Sequence, residues 1–425
     1  AACGYDGGDC DVDSGLMWGG YDLAEQVGFD GIGKGGVGAI TTGAHVTMEQ
    51  CSFRSNRGEI GGAFYVQGCR TDRSNDAPCT TALAAASSSL TLRDCTSSSN
   101  LAERHGGLVY AAIGAIVTVE RLTSDSDAAS AQGGLLWGSQ GSSIVLSDSA
   151  IYDSTADEGG SLYLSDTSAS VTGSEVQCAG GGAAAGTSGG AVLLTDGATS
   201  SVRRSTVLGC AAASGGAFKL RSTASAPRGP GRSDTYSIAS PPQVTLEESN
   251  LTMCAASEYG GCIDAVGTQT LRVVVQLFNS TISDGHADGG MGGGVAISSG
   301  VLHLVNSTLE RCGARVGGGV HADGASTVTV NASVLRDGNA TEDGGGIFAG
   351  GATSVTIADQ STFDGNAAGG RGGAMRAEAS SSAVVSGGVG MRGNSARLGG
   401  GISAQASTLQ LSDSELSDNS AVHGG

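Results

Sequence analysis

The sequence predicts an all-β fold: a right-handed parallel β-helix, or solenoid, of about 13 coils, each with about 27 residues and three short strands. Three observations lead to this prediction. A Gly-Gly pair recurs about 13 times, a stretch that alternates apolar with polar residues recurs at a similar interval, and an Asn or Cys returns at one fixed place between them. With 74 glycines and 4% aromatic residues the chain would otherwise suggest low complexity, but a repeat of this length indicates one unit stacked on copies of itself.

The alternating stretch predicts the first strand of each coil. Val117-Thr118-Val119 and Val328-Thr329-Val330 are examples, and a period of two with β-branched residues is typical of a strand with one buried face. A second strand of the type Ser-x-apolar follows, with an Asn or Cys three positions after the apolar residue. These pairs are Phe53/Asn56, Val207/Cys210, Leu251/Cys254, Leu309/Cys312, Phe363/Asn366, Met391/Asn394 and Leu416/Asn419.

The Asn or Cys position is predicted to be a turn. Asn tolerates the left-handed backbone conformation, and Asn side chains stacked in successive coils can hydrogen-bond to one another. The third strand starts at the Gly-Gly pair, where glycine permits a sharp bend or a backbone contact that a β-carbon would block. The pairs close at Gly62, Gly107, Gly134, Gly160, Gly190, Gly216, Gly261, Gly294, Gly319, Gly346, Gly373, Gly401 and Gly425.

Strands that run the same way and recur one repeat apart cannot pair as hairpins, so the chain must wind into a coil. Such parallel crossovers are right-handed. Residues 1–43 are predicted to form a Cys- and Asp-rich segment that leads to the first coil, and residues 44–425 the β-helix. Two stretched repeats place excursions near residues 69–86 and 221–242. Because the chain starts at Ala1 and stops at Gly425 inside a repeat, we expect a segment of a longer protein.

Composition excludes several classes of function. A net charge of −19 argues against nucleic acid or an anionic membrane as partner, since both attract a basic surface. Only Lys34 and Lys219 are lysines, which leaves almost no candidates for Schiff-base chemistry. The longest apolar run is too short to span a bilayer. Eleven cysteines without a Cys-x-x-Cys spacing favour an oxidising compartment over zinc.

Two resemblances to known families rest on short motifs. Phe53 to Asn56 with Gly61-Gly62-Ala63-Phe64, and Phe363 to Asn366 with Gly372-Gly373-Ala374-Met375, resemble the GGA[ILV]/FxxN repeats of chlamydial polymorphic outer-membrane proteins and, more loosely, pectin-lyase-like β-helices. This resemblance covers roughly residues 44–425 and implies the architecture, with a lean toward adhesion and surface display. Several units replace the Phe by another apolar residue and the Asn by Cys.

The segment from Cys3 to Cys10 (CGYDGGDC) resembles half of a Lin12/Notch repeat, in which carboxylates and cysteines surround a calcium ion. The resemblance implies Asp6 and Asp9 as calcium ligands, which suits hard oxygen donors. A disulfide-closed acidic loop without metal is the alternative. No cofactor is expected apart from this structural Ca²⁺.

Modification sites are expected at Asn and Cys residues. N-glycosylation sequons stand at Asn250, Asn279, Asn306, Asn331 and Asn339, of which Asn279, Asn306 and Asn331 are predicted to share one place in consecutive coils. Turn-forming Asn without glycan is the alternative. The disulfide candidates are Cys3 with Cys10, Cys51 with Cys95, Cys69 with Cys79, and Cys210 with Cys254, against stacked free thiols.

Carboxylates recur just before the Gly-Gly pairs and predict an acidic, solvated ribbon: Glu59, Glu103, Asp157, Glu158, Glu258, Asp288, Glu342 and Asp343. No Ser, His and Asp spacing exceeds chance, so no catalytic residue is assigned. We expect an extracellular, non-catalytic structural glycoprotein, part of a larger surface protein or filament, that self-associates or continues its coil stack in a longer chain. A β-helix polysaccharide lyase or hydrolase, or a carbohydrate-binding adhesin, is the alternative.

Overall fold

A computed structural model describes residues 34–41, 43–68, 87–178, 188–222 and 240–423. It shows an all-β parallel solenoid of about 13 turns of about 27 residues, as the sequence predicts, and the described residues contain no helix. Consequently no helix in those ranges is long or apolar enough to cross a membrane. The handedness of the coil and both predicted excursions stay predictions, since residues 69–86 and most of 221–242 lie outside the described residues.

The described residues divide into two compact units. Unit 1 comprises residues 34–41, 43–68, 87–178, 191–193 and 198–200, and unit 2 comprises residues 188–190, 194–197, 201–222 and 240–423. The strands Val192–Thr195 and Thr199–Arg203 contribute residues to both units. In each unit the three predicted kinds of strand form three sheets, called here the first, second and third sheet. A fourth sheet is formed by strands that come between those of the second and third sheets in chain order.

The strands of unit 1 are parallel to their equivalents one coil away and in register with them, apart from a bulge between Gly58 and Ile60 in the fourth sheet. Its first sheet consists of His45–Glu49, Ser89–Arg93, Ile116–Glu120, Ser143–Ser147 and Ser168–Thr172. Its second sheet consists of Ser52–Arg54, Thr96–Ser98, Thr123–Asp125, Ala150–Tyr152 and Glu175–Gln177. Its third sheet consists of Gly38–Thr41, Phe64–Gln67, Val109–Ala112, Leu136–Ser139 and Leu162–Ser165. Its fourth sheet consists of Arg57–Ile60, Leu101–His105 and Ala128–Ala129.

Unit 2 repeats this arrangement. Its first sheet consists of Gln243–Glu247, Val273–Phe278, Gly300–Val305, Thr327–Asn331, Ser354–Ala358, Ser382–Val385 and Thr408–Leu411. Its second sheet consists of Thr206–Leu208, Asn250–Thr252, Thr281–Ser283, Thr308–Glu310, Val334–Arg336, Thr362–Asp364, Val389–Arg392 and Ser414–Ser417. Its third sheet consists of Phe218–Arg221, Ile263–Val266, Val295–Ser298, Val320–Asp323, Ile347–Ala349, Met375–Glu378 and Ile402–Gln405. Its fourth sheet consists of Ala211–Ser214, Ala255–Tyr259, His286–Met291, Gly313–Val316, Asn339–Ala340, Ala367–Arg371, Ser395–Leu398 and Ser420–His423.

Single residues with left-handed backbone turn the chain at the corners between sheets. After the first sheet, Asp94, Arg121 and Asp148 have φ values of 51°, 53° and 49°. Such a residue redirects an extended chain within one position, and polar side chains, Asp and Asn above all, accept this conformation more readily than β-branched ones. The corners therefore stay short and repeat in every coil.

The Gly-Gly pairs serve two separate purposes, as the sequence predicts. Gly106 has a φ of +68° and makes the bend into the third sheet. Gly107 lies so close to the next coil that an added β-carbon would stand 2.0 Å from the carbonyl oxygen of Gly134. The first glycine is required by conformation and the second by the approach of neighbouring backbones.

Aliphatic residues in equivalent positions fill the interior. In the first sheet of unit 1, Leu90 pairs in register with Val117 and Val117 with Ile144, and all three side chains are buried. Because like side chains lie over like, each coil buries the apolar face of its neighbour.

A column of serines closes the corner between the first and second sheets of unit 2. A typical hydroxyl of the column donates to the carbonyl two residues earlier, as Ser280 does to Phe278 at 2.8 Å, and accepts the amide N–H of the serine one coil away, as Ser280 does from Ser249 at 3.1 Å. The column comprises Ser205, Ser249, Ser280, Ser307, Ser333 and Ser361. It satisfies backbone amides that the corner would otherwise leave unpaired.

Replacing Gly107 by Ala is expected to lower the free energy of unfolding by about 3 kcal/mol or more, because neighbouring coils must separate to admit the β-carbon. Gly114→Ala is the matched control: Gly114 has a φ of +68° but nothing within 4 Å of an added β-carbon, so only conformational strain of about 1 kcal/mol is expected. Urea unfolding of the purified chain measures both. Equal losses in the two variants would contradict the close-approach argument.

Candidate functional site

Successive side chains of a strand point to opposite faces of the sheet. The second residue of each third-sheet strand therefore lies on the face opposite its buried neighbours, such as Phe64 and Val66, and forms what we call the outer row. In unit 1 the row comprises Ala39, Tyr65, Tyr110, Trp137 and Tyr163, paired in register from coil to coil, and Leu193 of the strand Val192–Thr195. In unit 2 it comprises Lys219, Asp264, Ala296, His321, Phe348, Arg376 and Ser403. Large and ionisable side chains are concentrated here, which makes the outer row the first place to look for function.

The outer row of unit 1 is a ladder of parallel aromatic rings. Ring centroids are 5.2 Å apart between Tyr65 and Tyr110, 4.3 Å between Tyr110 and Trp137, and 6.0 Å between Trp137 and Tyr163, with interplanar angles of 11°, 5° and 3°. The ammonium group of Lys34 stands 4.8 Å from the centroid of Tyr65. The ring faces are thus turned toward each other along the stack, whereas a sugar-binding platform must present a free face.

His105 and Gln132, at the end of the neighbouring fourth sheet, flank this ladder. The His105 ring stacks on Trp137 at 5.5 Å, and the Trp137 indole N–H donates to Gln132 at 3.2 Å. Burial lowers the pKa of His105, and the charge of Arg104 lowers it further. The His105 ring therefore stays neutral at neutral pH and acts as a further aromatic member of the ladder.

The outer row of unit 2 contains buried charges. Lys219 pairs with Asp264 in the adjacent strand, His321 stacks on Phe348 at 5.1 Å with an interplanar angle of 2°, and Arg376 is 1% exposed. Arg376 donates to Glu378 at 2.8 Å and to Ser403 at 2.9 Å. Burial lowers the pKa of His321, against the opposing effect of Asp323. Lys219, Asp264 and the terminal nitrogens of Arg376 are thus engaged by neighbouring side chains instead of by solvent.

The predicted acidic ribbon is neutralised in part by arginines one coil away. Glu103 lies 3.1 Å from Arg57, and Glu342 lies 2.7 Å from Arg315. Elsewhere Arg311 holds Asp284 through two hydrogen bonds of 2.8 and 3.0 Å, which lowers the pKa of that carboxyl. Within the described ranges no group of three or more His, Cys, Asp or Glu is arranged to hold a metal ion.

A shallow depression on the outer side of the fourth sheet in unit 2 has a volume of about 370 Å³. Its lining residues are Ser257, Glu258, Tyr259, Gly289, Gly290, Met291 and Arg315. Glu258 is the one carboxylate among them, and Arg315 is engaged by Glu342 and by the Gly289 carbonyl. Glycoside hydrolysis ordinarily needs two carboxyl groups at the scissile bond, and this lining supplies one.

The predicted Asn position forms the hydrogen-bonded ladder that the sequence suggests. In unit 2 the Asn366 amide donates to Asn394 at 2.9 Å, and the Asn394 amide donates to Asn419 at 2.9 Å. In unit 1 the Asn56 amide donates to Asn100 at 2.7 Å, and the Asn100 amide donates to Asp127 at 2.8 Å. Asn100 and Asp127 were missed because Ser97 and Ser124 stand where the pattern has an apolar residue.

Asp127 is a fully buried carboxyl in this ladder. It accepts hydrogen bonds from the backbone and side-chain amides of Asn100 and from the hydroxyls of Ser97 and Ser124. Burial nevertheless raises its pKa, because the hydrogen bonds only partly replace lost water.

Two predicted disulfides are absent from this structure. Cys51 and Cys95 both remain thiols, each donating to a carbonyl two residues earlier, at 3.3 Å to Glu49 and 3.1 Å to Arg93, in the manner of the serine column. Cys210 is disulfide-bonded, but Cys254 is a thiol, so the predicted Cys210–Cys254 bridge is wrong.

Cys254 lies against Cys262 of its own coil. Burial raises the pKa of the Cys262 thiol, and the neighbouring Cys254 raises it further. The Cys262 sulfur takes the space that a side chain at Gly285 would fill, 2.9 Å from its ideal β-carbon. Cys3, Cys10, Cys69 and Cys79, and the calcium candidates Asp6 and Asp9, lie outside the described residues and stay predictions.

The five sequon asparagines do not share one position. Asn279 and Asn306 both follow a first-sheet strand with a φ of 49°, and the Asn306 amide donates to the Asn279 side-chain oxygen at 2.5 Å. Asn331 pairs with Val305 and so stands one position earlier, while Ala332 takes the turn with a φ of 47°. The prediction that Asn331 aligns with the other two is wrong. Asn250 and Asn339 are exposed.

No protein-family model, curated protein or solved structure matches this chain. The parallel solenoid itself is shown by the coordinates. The resemblances to the chlamydial repeats and to a Lin12/Notch repeat rest on the motifs alone.

Asp127→Asn is expected to be more stable than the parent chain at pH 7, and the difference is expected to shrink toward pH 4. The raised pKa in the fold means that Asp127 favours its protonated form there, so its contribution to stability is fully present only below the unfolded value of 3.8. The contribution is lost as pH rises through the higher folded value. Asn carries no charge and can keep the ladder, since Ser97 and Ser124 can turn their hydroxyls to accept.

Urea midpoints across that pH range measure the effect, with the exposed neighbour Asp125→Asn as the control. A variant that loses stability equally at every pH would show that the ladder requires the carboxyl.

Proposed function

We propose that this chain is a structural, non-catalytic segment of an extracellular surface protein or filament. One observation carries the proposal: the outer side chains that a β-helix enzyme would leave free for substrate are occupied in contacts between coils. The Tyr110 and Trp137 rings cover each other at 4.3 Å, and Arg376 is buried against Glu378 and Ser403. Such contacts hold coils together and leave little chemistry exposed.

The proposed compartment is the cell exterior, reached by a secretory route. Cys178 and Cys210 are both disulfide-bonded, and disulfides persist mainly in oxidising compartments. Exposed sequon residues at Asn250, Asn279, Asn306 and Asn339 support N-glycosylation. The proposal includes display on the cell surface, as the resemblance to the chlamydial repeats implies.

Self-association is the proposed partner interaction. The alternative is continuation of the coil stack in a longer chain. In either case another coil would pair with a strand edge of the solenoid.

Antibody labelling of intact source cells tests the proposal. We expect labelling without permeabilisation, and negative-stain images of material released from the surface should show assemblies larger than one chain. Labelling only after permeabilisation would contradict the proposed location. Cleavage of any member of a panel of acidic and neutral polysaccharides, lost in Glu258→Gln, would replace the structural function by the enzymatic alternative.

Glycan occupancy gives a second test. Because the Asn279 and Asn306 side chains touch, two glycans cannot fit side by side, so we expect one glycan for this pair in each molecule and full occupancy at Asn250 and Asn339. Intact mass before and after peptide N-glycosidase, on chain secreted from a eukaryotic host, counts the glycans. Asn279→Gln should move the glycan to Asn306 without changing the count, and Asn250→Gln, the control, should lower it by one. A secreted chain without any glycan would refute the prediction.

A further inference from the structure

Lys219 is an unusual residue in this chain. The sequence has 22 basic residues, and only Lys34 and Lys219 are lysines. Among the described residues, most other ion pairs between coils use arginine at surface positions, for example Arg311 with Asp284. Lys219 instead lies in the outer row of unit 2, where its side chain is 10% exposed.

Asp264 is the register partner of Lys219 in the adjacent coil. The Lys219 Nζ atom is in direct contact with the Asp264 Oδ2 atom, and the Asp264 side chain is 3% exposed. The next member of the row is the small residue Ala296, also buried. Amine and carboxyl are therefore held together in a place from which water is largely excluded.

A buried ion pair of this kind has a neutral alternative. Removing both charges from water is costly, and the cost disappears if the ammonium proton passes to the carboxylate. Burial raises the pKa of Asp264, opposed by the charge of Lys219, and the charges of Glu258 and Asp323 raise it further. The result of the transfer is an uncharged amine in contact with a carboxylic acid, the reactants of amide formation.

We propose that Lys219 and Asp264 condense to an isopeptide bond that ties two adjacent coils. After the proton transfer, the Nζ lone pair attacks Cγ of Asp264 and forms the C–N bond. A proton moves from the attacking nitrogen to the hydroxyl oxygen, the C–O bond breaks, and one water molecule leaves. The three ammonium hydrogens end as one amide N–H and the two hydrogens of water, so no oxidant or other reactant is needed.

The contact between the two groups favours a fast reaction, and their burial favours the uncharged product. Fixed contact between the reacting groups replaces an encounter in solution, which can raise the rate of such reactions by several orders of magnitude. The product carries no charge, so it removes the desolvation cost of the ion pair. Arginine could not substitute, since its guanidinium stays protonated and is a poor nucleophile. Buried Arg376, with Glu378 as partner, is thus not a second such site.

Peptide mapping of the purified, denatured full-length chain tests the bond. We expect a branched peptide that joins the segments around Lys219 and Asp264, with a mass one water molecule below the sum of its parts, in most molecules after prolonged incubation. Lys219→Arg keeps the charge and should give only linear peptides. Asp264→Asn removes the carboxylate that takes up the ammonium proton, so it should also give only linear peptides.

Linear peptides alone from the natural chain, with Lys219 open to acetylation after denaturation, would overturn the proposal. So would a branched peptide that survives in Lys219→Arg, since its amine would then come from elsewhere. Neither result bears on the location or the assembly of the chain, so the structural function is tested separately.

Discussion

Hydrogen bonding between the backbones of consecutive coils is the constraint on which the other features depend. Parallel strands pair only when equivalent residues stand beside each other, and at the Gly-Gly corner the two backbones approach closely enough that the Gly107 amide bonds to the Gly133 carbonyl at 3.2 Å. A β-carbon at Gly107 would force the coils apart at this corner. The glycine repeat is therefore the feature of the sequence that fixes the spacing of the coils.

Once the register is fixed, equivalent residues of successive coils form a column along the stack. Each column must therefore consist of side chains that can pack or hydrogen-bond with side chains of the same kind. Aliphatic residues do so by packing, serines by passing hydrogen bonds such as Ser249 to Ser280, and asparagines by the same means at Asn366 and Asn394. Like charges would repel in such a column, so carboxylates alternate with arginines across coils, as Asp94 does with Arg121. The serine and asparagine columns explain how buried polar side chains find hydrogen-bond partners in this fold.

The sequence predicts those parts of the fold that follow from the repeat interval of its motifs. It misses contacts that arise only because the fold brings particular residues close together in space. Strand alternation and the glycine pairs repeat at a fixed interval, so the solenoid, its three main strands and the Asn ladder could be predicted. The fourth sheet could not, because strands such as Ala211–Ser214 and Asn339–Ala340 have no β-branched alternation and pair only because the corner places them together. Cys254 shows the same limit: its side chain interacts with Cys262 in the same coil, and no spacing rule indicates that.

The outer row contains different kinds of side chain in the two units, although it occupies the same strand position in both. In unit 1 four aromatic rings follow one another, and their apolar faces gain from contact with their own kind. In unit 2 the same strand position holds Lys219 and Asp264, whose charges are stable in so dry a place only as a pair. A stacked ring can be replaced by another ring at small cost, whereas loss of one charge of the pair leaves the other charge buried without its partner. The aromatic part of the row therefore tolerates the exchange of one ring for another, while the charged part depends on the direct contact of Lys219 with Asp264, the contact across which the proposed bond forms.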